Sequence, residues 1–247
     1  MTVLHEDTGG EGKPSQDARK RKPAWVPAIS HVTGLFLITS VCGFVDAACF
    51  LSLGQVFAEM MTGNLLLFCF YIGTGYPLFE NIGYLVALAA FALGAITGGR
   101  INRGPRGDTR FGFGLEGLFL FAAVALVIAI GADASHLAQG SVVALLAFAM
   151  GLQNALLRKH GVPDLATNVM TLTMTALFSD SSLGGGANER WRRRAGSVGV
   201  FMASALTGAF LTIHIGPWAP LLVAALLFAL ALCGLTRRDD TLVPRPG

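Results

Sequence analysis

Charge is what this chain has least of. Only 13% of its 247 residues are Asp, Glu, Lys or Arg, against 53% apolar residues. A soluble domain of this size carries roughly 25% charged residues, so the deficit excludes an ordinary water-facing surface and points to an integral membrane protein. Other absences narrow the chemistry. There is no basic and aromatic surface of the kind that grips a nucleic acid. There is no Walker-type phosphate loop, which removes a nucleotide-driven pump. There is no HExxH, no GxSxG and no His-rich face, so an enzyme would have to rest on Asp46 and Glu59 alone. The chain is therefore not read as an enzyme. The four cysteines, Cys42, Cys49, Cys69 and Cys233, lie inside apolar runs without CxxC or Cys/His spacing. They read as small hydrophobes, and no disulfide, metal or cofactor is expected.

What the chain has in quantity is apolar length. A helix needs about 20 apolar residues to cross the hydrocarbon core. Runs that qualify are 32–53, 83–101, 114–131, 139–157, 196–215 and 218–235. Two further stretches, 56–75 and 166–180, are apolar but interrupted. The first holds Glu59, Thr62, Gly63 and Asn64; the second reads "ATNVMTLTMTALFSD". Residues 1–27 are polar and end in a basic cluster, and read as a disordered cytoplasmic tail. Residues 28–236 form the transmembrane domain, and 237–247 a cytoplasmic C-terminal tail.

Basic residues favour the cytoplasmic side of a membrane. They cluster at Arg19 to Lys22, Arg100 to Arg110, Arg158 and Lys159, Arg190 to Arg194, and Arg237 and Arg238; the turns at 76–82, 132–138 and 216–219 have none. Eight full crossings would put two clusters on the wrong side. Six crossings, with 56–75 re-entering from outside and 166–180 from inside, keep every cluster cytoplasmic, as are both termini.

The chain also repeats itself. "GFVDAA" at 43–48 aligns with "GLQNAL" at 151–156, pairing Asp46 with Asn154; "MTGNLLLF" at 61–68 aligns with "MTLTMTAL" at 170–177, pairing Thr62 with Thr171. "FALGAITGG" at 91–99 aligns with "FMASALTGA" at 201–209. The offsets stay at 108 to 110. Each half, about 32–131 and 139–235, holds three crossings, so the second enters upside down. The expected fold is an all-α polytopic bundle: six full spans and two broken segments in an inverted internal repeat. Such folds place solute or ion pathways between the repeats, lined by broken helices.

"GFVDAACFLSLGQVFAEMMTGN", "FALGAITGG" and "AMGLQNALLRK" together resemble the YoaK family of bacterial multi-pass membrane proteins, over roughly residues 35 to 235. The resemblance implies an inner-membrane location. It implies no substrate and no catalytic residue, the family being a domain of unknown function. One departure is Thr171-Leu172, where similar proteins often show Thr-Gly.

Asp46 is the sharpest candidate: a carboxyl inside the first span, with no Lys or Arg in that span. It reads as a proton or cation site, or as a structural acid that bridges the broken helix, with hydroxyls, amides or backbone N–H groups of 57–64 as partners. Thr62-Gly63-Asn64 could form a turn, Gly63 permitting positive φ. Asn154 could clamp helices or line a pathway. Thr171 and Thr173 could face a cavity, although threonines commonly bond their own helix. Glu59 would sit at the outer mouth, as an entry site or as plain surface. Glu116 would be an ordinary acid at a helix start. Gly94 and Gly98, with Ser204 and Gly208, have the small-x-x-x-small spacing of close helix packing, near a pseudo-two-fold axis or on a homodimer face. The reading carried forward is a transporter or channel for a small solute, proton or cation, in contact with the lipid bilayer; the alternative is a structural or regulatory membrane protein.

Overall fold

The computed structural model describes residues 31–104, 109–131, 135–160 and 170–236. The two tails expected at 1–27 and 237–247 lie outside these residues, as does the stretch 161–169.

The described chain is helical: α1 (His31–Ser52), α2 (Met61–Gly73), α3 (Ile82–Arg103), α4 (Thr109–Ile130), α5 (His136–His160), α6 (Met170–Ser179), α7 (Trp191–His214) and α8 (Trp218–Thr236). Four of them, α3, α4, α7 and the stretch His136–Arg158 of α5, are long and apolar enough to cross a membrane. The two interrupted stretches of the sequence become the short helices α2 and α6.

The breaks have local causes. α1 stops where Gly54 and Gln55 both take left-handed backbone (φ 91° and 57°), which throws the chain off the helix axis; the second of these is uncommon for a residue with a side chain. The expected turn at Gly63 is not there. Gly63 lies in the first turn of α2, and its missing side chain makes room for Phe57, whose ring stands 3.0 Å from where a Cβ would be. Leu172, the counterpart of Gly63, is helical too, so the departure from Thr-Gly imposes no difficult bend. α2 ends in a Schellman motif: Gly75 is left-handed, Tyr76 N–H donates to Tyr71 C=O (3.1 Å) and Gly75 N–H to Ile72 C=O (3.1 Å).

Two close helix pairs hold the bundle together. α3 lies on α5: a side chain at Gly94 would strike the Phe148 carbonyl, one at Gly98 would come within 2.7 Å of Ala155 Cβ, and one at Gly151 would strike the Phe91 carbonyl. α7 lies on α1 in the same way. A side chain at Gly43 would strike Ser204 and come within 3.0 Å of the Phe201 carbonyl, and one at Gly208 would come within 3.0 Å of Ala47 Cβ. In lipid, helices gain little from hiding apolar surface, so such backbone-to-backbone approach is what binds them. The two interfaces correspond residue for residue: Gly43 with Gly151 and Ala47 with Ala155 at an offset of 108, Phe91 with Phe201 and Gly98 with Gly208 at 110. Thus Gly94 and Gly98 meet α5, and Ser204 and Gly208 meet α1, all within one chain.

Other contacts set directions. α3 runs alongside α5 in the same sense, since Gly94 meets Phe148 while Asn102 Nδ2 donates to Ala155 C=O (2.8 Å) further along. α4 is antiparallel to α5, with Leu156 against Gly112 and Phe148 against Phe119 (ring centroids 4.5 Å). α7 runs with α1, Gly196 meeting Phe36 and Gly208 meeting Phe44. Val56, just beyond the end of α1, touches Gly83 at the start of α3 (3.3 Å from a Cβ there).

The core gathers on α1 and α5, with α4 and α8 closing over it. α3 and α7 turn Leu93, Ile96, Met202, Leu206 and Phe210 outward, a surface suited to acyl chains. After α6, Arg194 of α7 donates through Nη1 to the Ala176 carbonyl (2.8 Å) and to Asp180 Oδ2 (2.7 Å). A cation is thereby held at the negative end of α6, where the helix dipole favours it.

Candidate functional site

The first four N–H groups of a helix have no partner within it. Where a helix starts inside a bilayer, water is not there to serve them, and another part of the protein must. Asp46, on α1, does this for the loop that leads into α2. Its Oδ1 accepts from Ala58 N–H (2.9 Å) and Glu59 N–H (2.8 Å), and its Oδ2 from Met60 N–H (3.2 Å). These are the amides of the loop leading into α2, up to its N-cap position Met60, so Asp46 braces that loop from a neighbouring helix. Of the partners expected for it, the backbone amides are those found; Thr62 is exposed.

Asn64 fastens the same loop from the other end. Its Oδ1 accepts from Phe57 N–H (2.9 Å), and its Nδ2 donates to Phe57 C=O (2.7 Å) and weakly to Met61 Sδ (3.7 Å). The side-chain amide thus pairs with a backbone unit as another strand would. Phe57 also stacks on Phe50 of α1 (4.6 Å, 13° between planes). With both polar ends satisfied, residues 57–60 are irregular backbone that survives burial.

This folded-back loop carries Glu59 inward. Glu59 is buried rather than at a mouth, and interacts with Asp46 and with Asn154 of α5. Asn154 is close enough to act on the Glu59 carboxyl, yet Glu59 Oε1 and Asn154 Nδ2 both lack a hydrogen-bond partner within ordinary range. Next to it, Gln153 is wholly buried; its Nε2 donates to Cys42 Sγ (3.3 Å) while its Oε1 has no partner. Cys42 lies one turn before Asp46 on α1. A row of polar groups therefore crosses the contact between α1 and α5: Asp46, Glu59, Asn154 and Gln153. A carboxyl out of water without donors is stable there only with a proton or a cation beside it.

The second interrupted segment does not mirror all of this. Thr173, the counterpart of Asn64 at an offset of 109, is buried; Thr171 is exposed and its carbonyl accepts from Thr175 Oγ1 (2.9 Å). Residues that would correspond to the 53–60 loop fall in 161–169. Glu116 differs from its sequence reading: α4 starts at Thr109, five residues before the expected span, so Glu116 lies two turns inside the helix and is wholly buried. Gly43 and Gly151, which make helix contacts as close as that of Gly94, were not singled out for packing in the sequence, although each opens its copy of the repeated "GFVD" and "GLQN" motif.

A model of the family described as "Protein of unknown function (DUF1275)" matches residues 34–233. The chain belongs to this family. Among curated proteins, the UPF0700 transmembrane protein YoaK of Bacillus subtilis (strain 168) is 30% identical over 156 residues, which is 61% of this chain and 67% of that protein. No solved structure matches. Family membership, the named transmembrane relative and the apolar helices together make this an integral membrane protein.

Proposed function

We propose that this chain is a transporter or channel for a small solute or ion in the bacterial inner membrane, with its pathway between two halves threaded in opposite directions. The observation that carries the reading is Glu59, a buried carboxyl with one oxygen lacking a close hydrogen-bond partner, set beside the Asn154 side chain at the boundary of the halves.

The opposed threading has its own support. Val56 beside Gly83 means that α1 ends where α3 begins, so α2 returns to the face it left. α3 runs with α5, and α7 with α1; α1 and α5 then run opposite ways, as do the halves they open. Six crossings result, with the Arg100 to Arg110 stretch and both termini cytoplasmic. A crossing of α1 and α5 at the Cys42–Gln153 contact puts Asp46 and Asn154 within about one helical turn of the crossing point, the midplane position that inverted-repeat transporters use.

Within this reading the roles divide. Asp46 and Asn64 are positioning residues that hold the loop. Glu59 is the group that takes a proton or cation, with Asn154 as its polar neighbour. Thr62 and Thr171, exposed at the starts of α2 and α6, with Gly63 and Thr173 behind them, stand at the two approaches. The second reading, a structural or regulatory membrane protein, is favoured by the complete bonding of the Asp46 carboxyl.

A proteoliposome flux screen across protons, alkali cations and small neutral solutes, comparing the intact chain with E59Q and N64A, separates them. Transport requires flux in the intact chain, lost in E59Q. Flux that survives E59Q unchanged removes Glu59 from the pathway. A folded chain that moves nothing in the screen favours the structural reading. Cysteine labelling in the 100–110 stretch from the periplasmic side would overturn the threading.

A further inference from the structure

Glu116 is the most enclosed acid among the described residues. Its side chain has no exposure to solvent, and neither Oε1 nor Oε2 has a hydrogen-bond partner. It sits on the face of α4 that carries Gly112 and Phe119, whose contacts with Leu156 and Phe148 set α4 against α5. That register brings Glu116 level with Gly151 and Leu152, within a turn of Gln153 and its unpartnered Oε1. On its other flank, Phe228 of α8 packs against Gly117 and Phe113.

Among the described residues no cation is paired with it. The titratable residues of the packed elements lie toward helix ends: Arg110 on α4, Tyr84, Arg100 and Arg103 on α3, His136 and Arg158 on α5; α8 carries only Cys233.

We propose that Glu116 is a proton-binding site of the membrane core. A bare carboxylate so placed would cost several kcal/mol; a carboxylic acid would not. In the described conformation Glu116 holds its proton on one oxygen. When the halves rearrange and admit water, the O–H bond breaks, the proton passes to that water, and the carboxylate takes a proton from the opposite side on closure. The coupling ion of the pathway is then the proton. The exchange step rests on the transport reading; the bound proton does not.

The test uses the full chain in liposomes, with E116Q, and with E116L as a second neutral variant in case the amide folds poorly. Infrared spectra at neutral pH should show the C=O stretch of a protonated, slowly deuterating carboxylic acid, and the difference between the intact chain and each variant should be the loss of one such band, distinct from any that E59Q removes. Absence of that band from the intact chain overturns the site. Proton entry into pyranine-loaded liposomes under an imposed pH gradient should fall to the level of empty liposomes in E116Q. Unaltered proton entry in that variant overturns the exchange. If the intact chain admits no protons while the acid band is present and assigned to Glu116, the site stands and the transport reading fails.

Discussion

Asp46→Ala is the sharpest probe of how the loop is held. The substitution removes an acceptor from three buried N–H groups, those of Ala58, Glu59 and Met60, at 2.9, 2.8 and 3.2 Å. A hydrogen bond to a charged group contributes about 1.5–3 kcal/mol, and an orphaned buried donor costs a similar amount. Counting the two short bonds fully and discounting the long one, Asp46→Ala should destabilise by about 3–6 kcal/mol, a large part of the roughly 5–15 kcal/mol that holds a typical domain together. Asp46→Asn keeps one oxygen for two of the donors but turns an NH₂ toward the third, and should lose about 1–3 kcal/mol. Unfolding in mixed micelles by SDS titration, followed through Trp191 and Trp218 fluorescence, gives the ranking intact chain, then Asn, then Ala. Amide hydrogen exchange at 58–60 should accelerate in the same order. If Asp46→Ala unfolds within about 0.5 kcal/mol of the intact chain, as a surface change would, then Asp46 does not hold the loop before α2 and the account of the folded-back loop is wrong.

Gly94→Ala and Gly151→Ala should each push α3 and α5 apart, because the added methyl meets a backbone carbonyl that cannot turn away; a loss of several kcal/mol and poor membrane yield are expected. Gly140→Ala, which meets nothing within 4 Å, should leave stability unchanged or slightly raised in the same titration. Asp180→Asn tests the contact at the end of α6. Hydrogen bonding to Arg194 holds the Asp180 carboxyl below its ordinary value of 3.8. The folded state therefore binds the proton less readily than the unfolded one, and the contact stabilises above that ordinary value and fades as pH falls through the lower folded one. A difference between the two proteins that is present at neutral pH and gone in strong acid would agree; one that grows on acidification would not.

How much was legible in advance differs by residue. Apolar length is a local property, so each expected run has a helix: 83–101 falls within Ile82–Arg103, and 218–235 within Trp218–Thr236. The small-x-x-x-small spacing of Gly94 and Gly98 is likewise written along one helix. The site was legible only in part. Asp46 stands out because a carboxyl among apolar residues must find donors, and the broken segment is where donors are free. Glu59 and Glu116 gave no such sign. Each lies near a segment end, where an acid is ordinary, and burial depends on which other helix arrives there. Gly63 misled for a related reason: glycine permits a turn, but it also permits close packing, and the sequence does not say which is used.

By itself, then, the sequence determined the elements: where helices run, where two of them break, and that the chain must sit in lipid. Those follow from periodicity, length and composition, which act within a segment. The tertiary structure decided the partners: that Asp46 spends both oxygens on the amides before α2, that Glu59 turns inward toward Asn154, and that Glu116 is sealed between α4 and its neighbours. The physical reason is that a polar group in a membrane answers to whatever partner lies within hydrogen-bond range, about 3 Å, and residues that meet at that range can be more than 100 positions apart in the chain, as Cys42 and Gln153 are (3.3 Å).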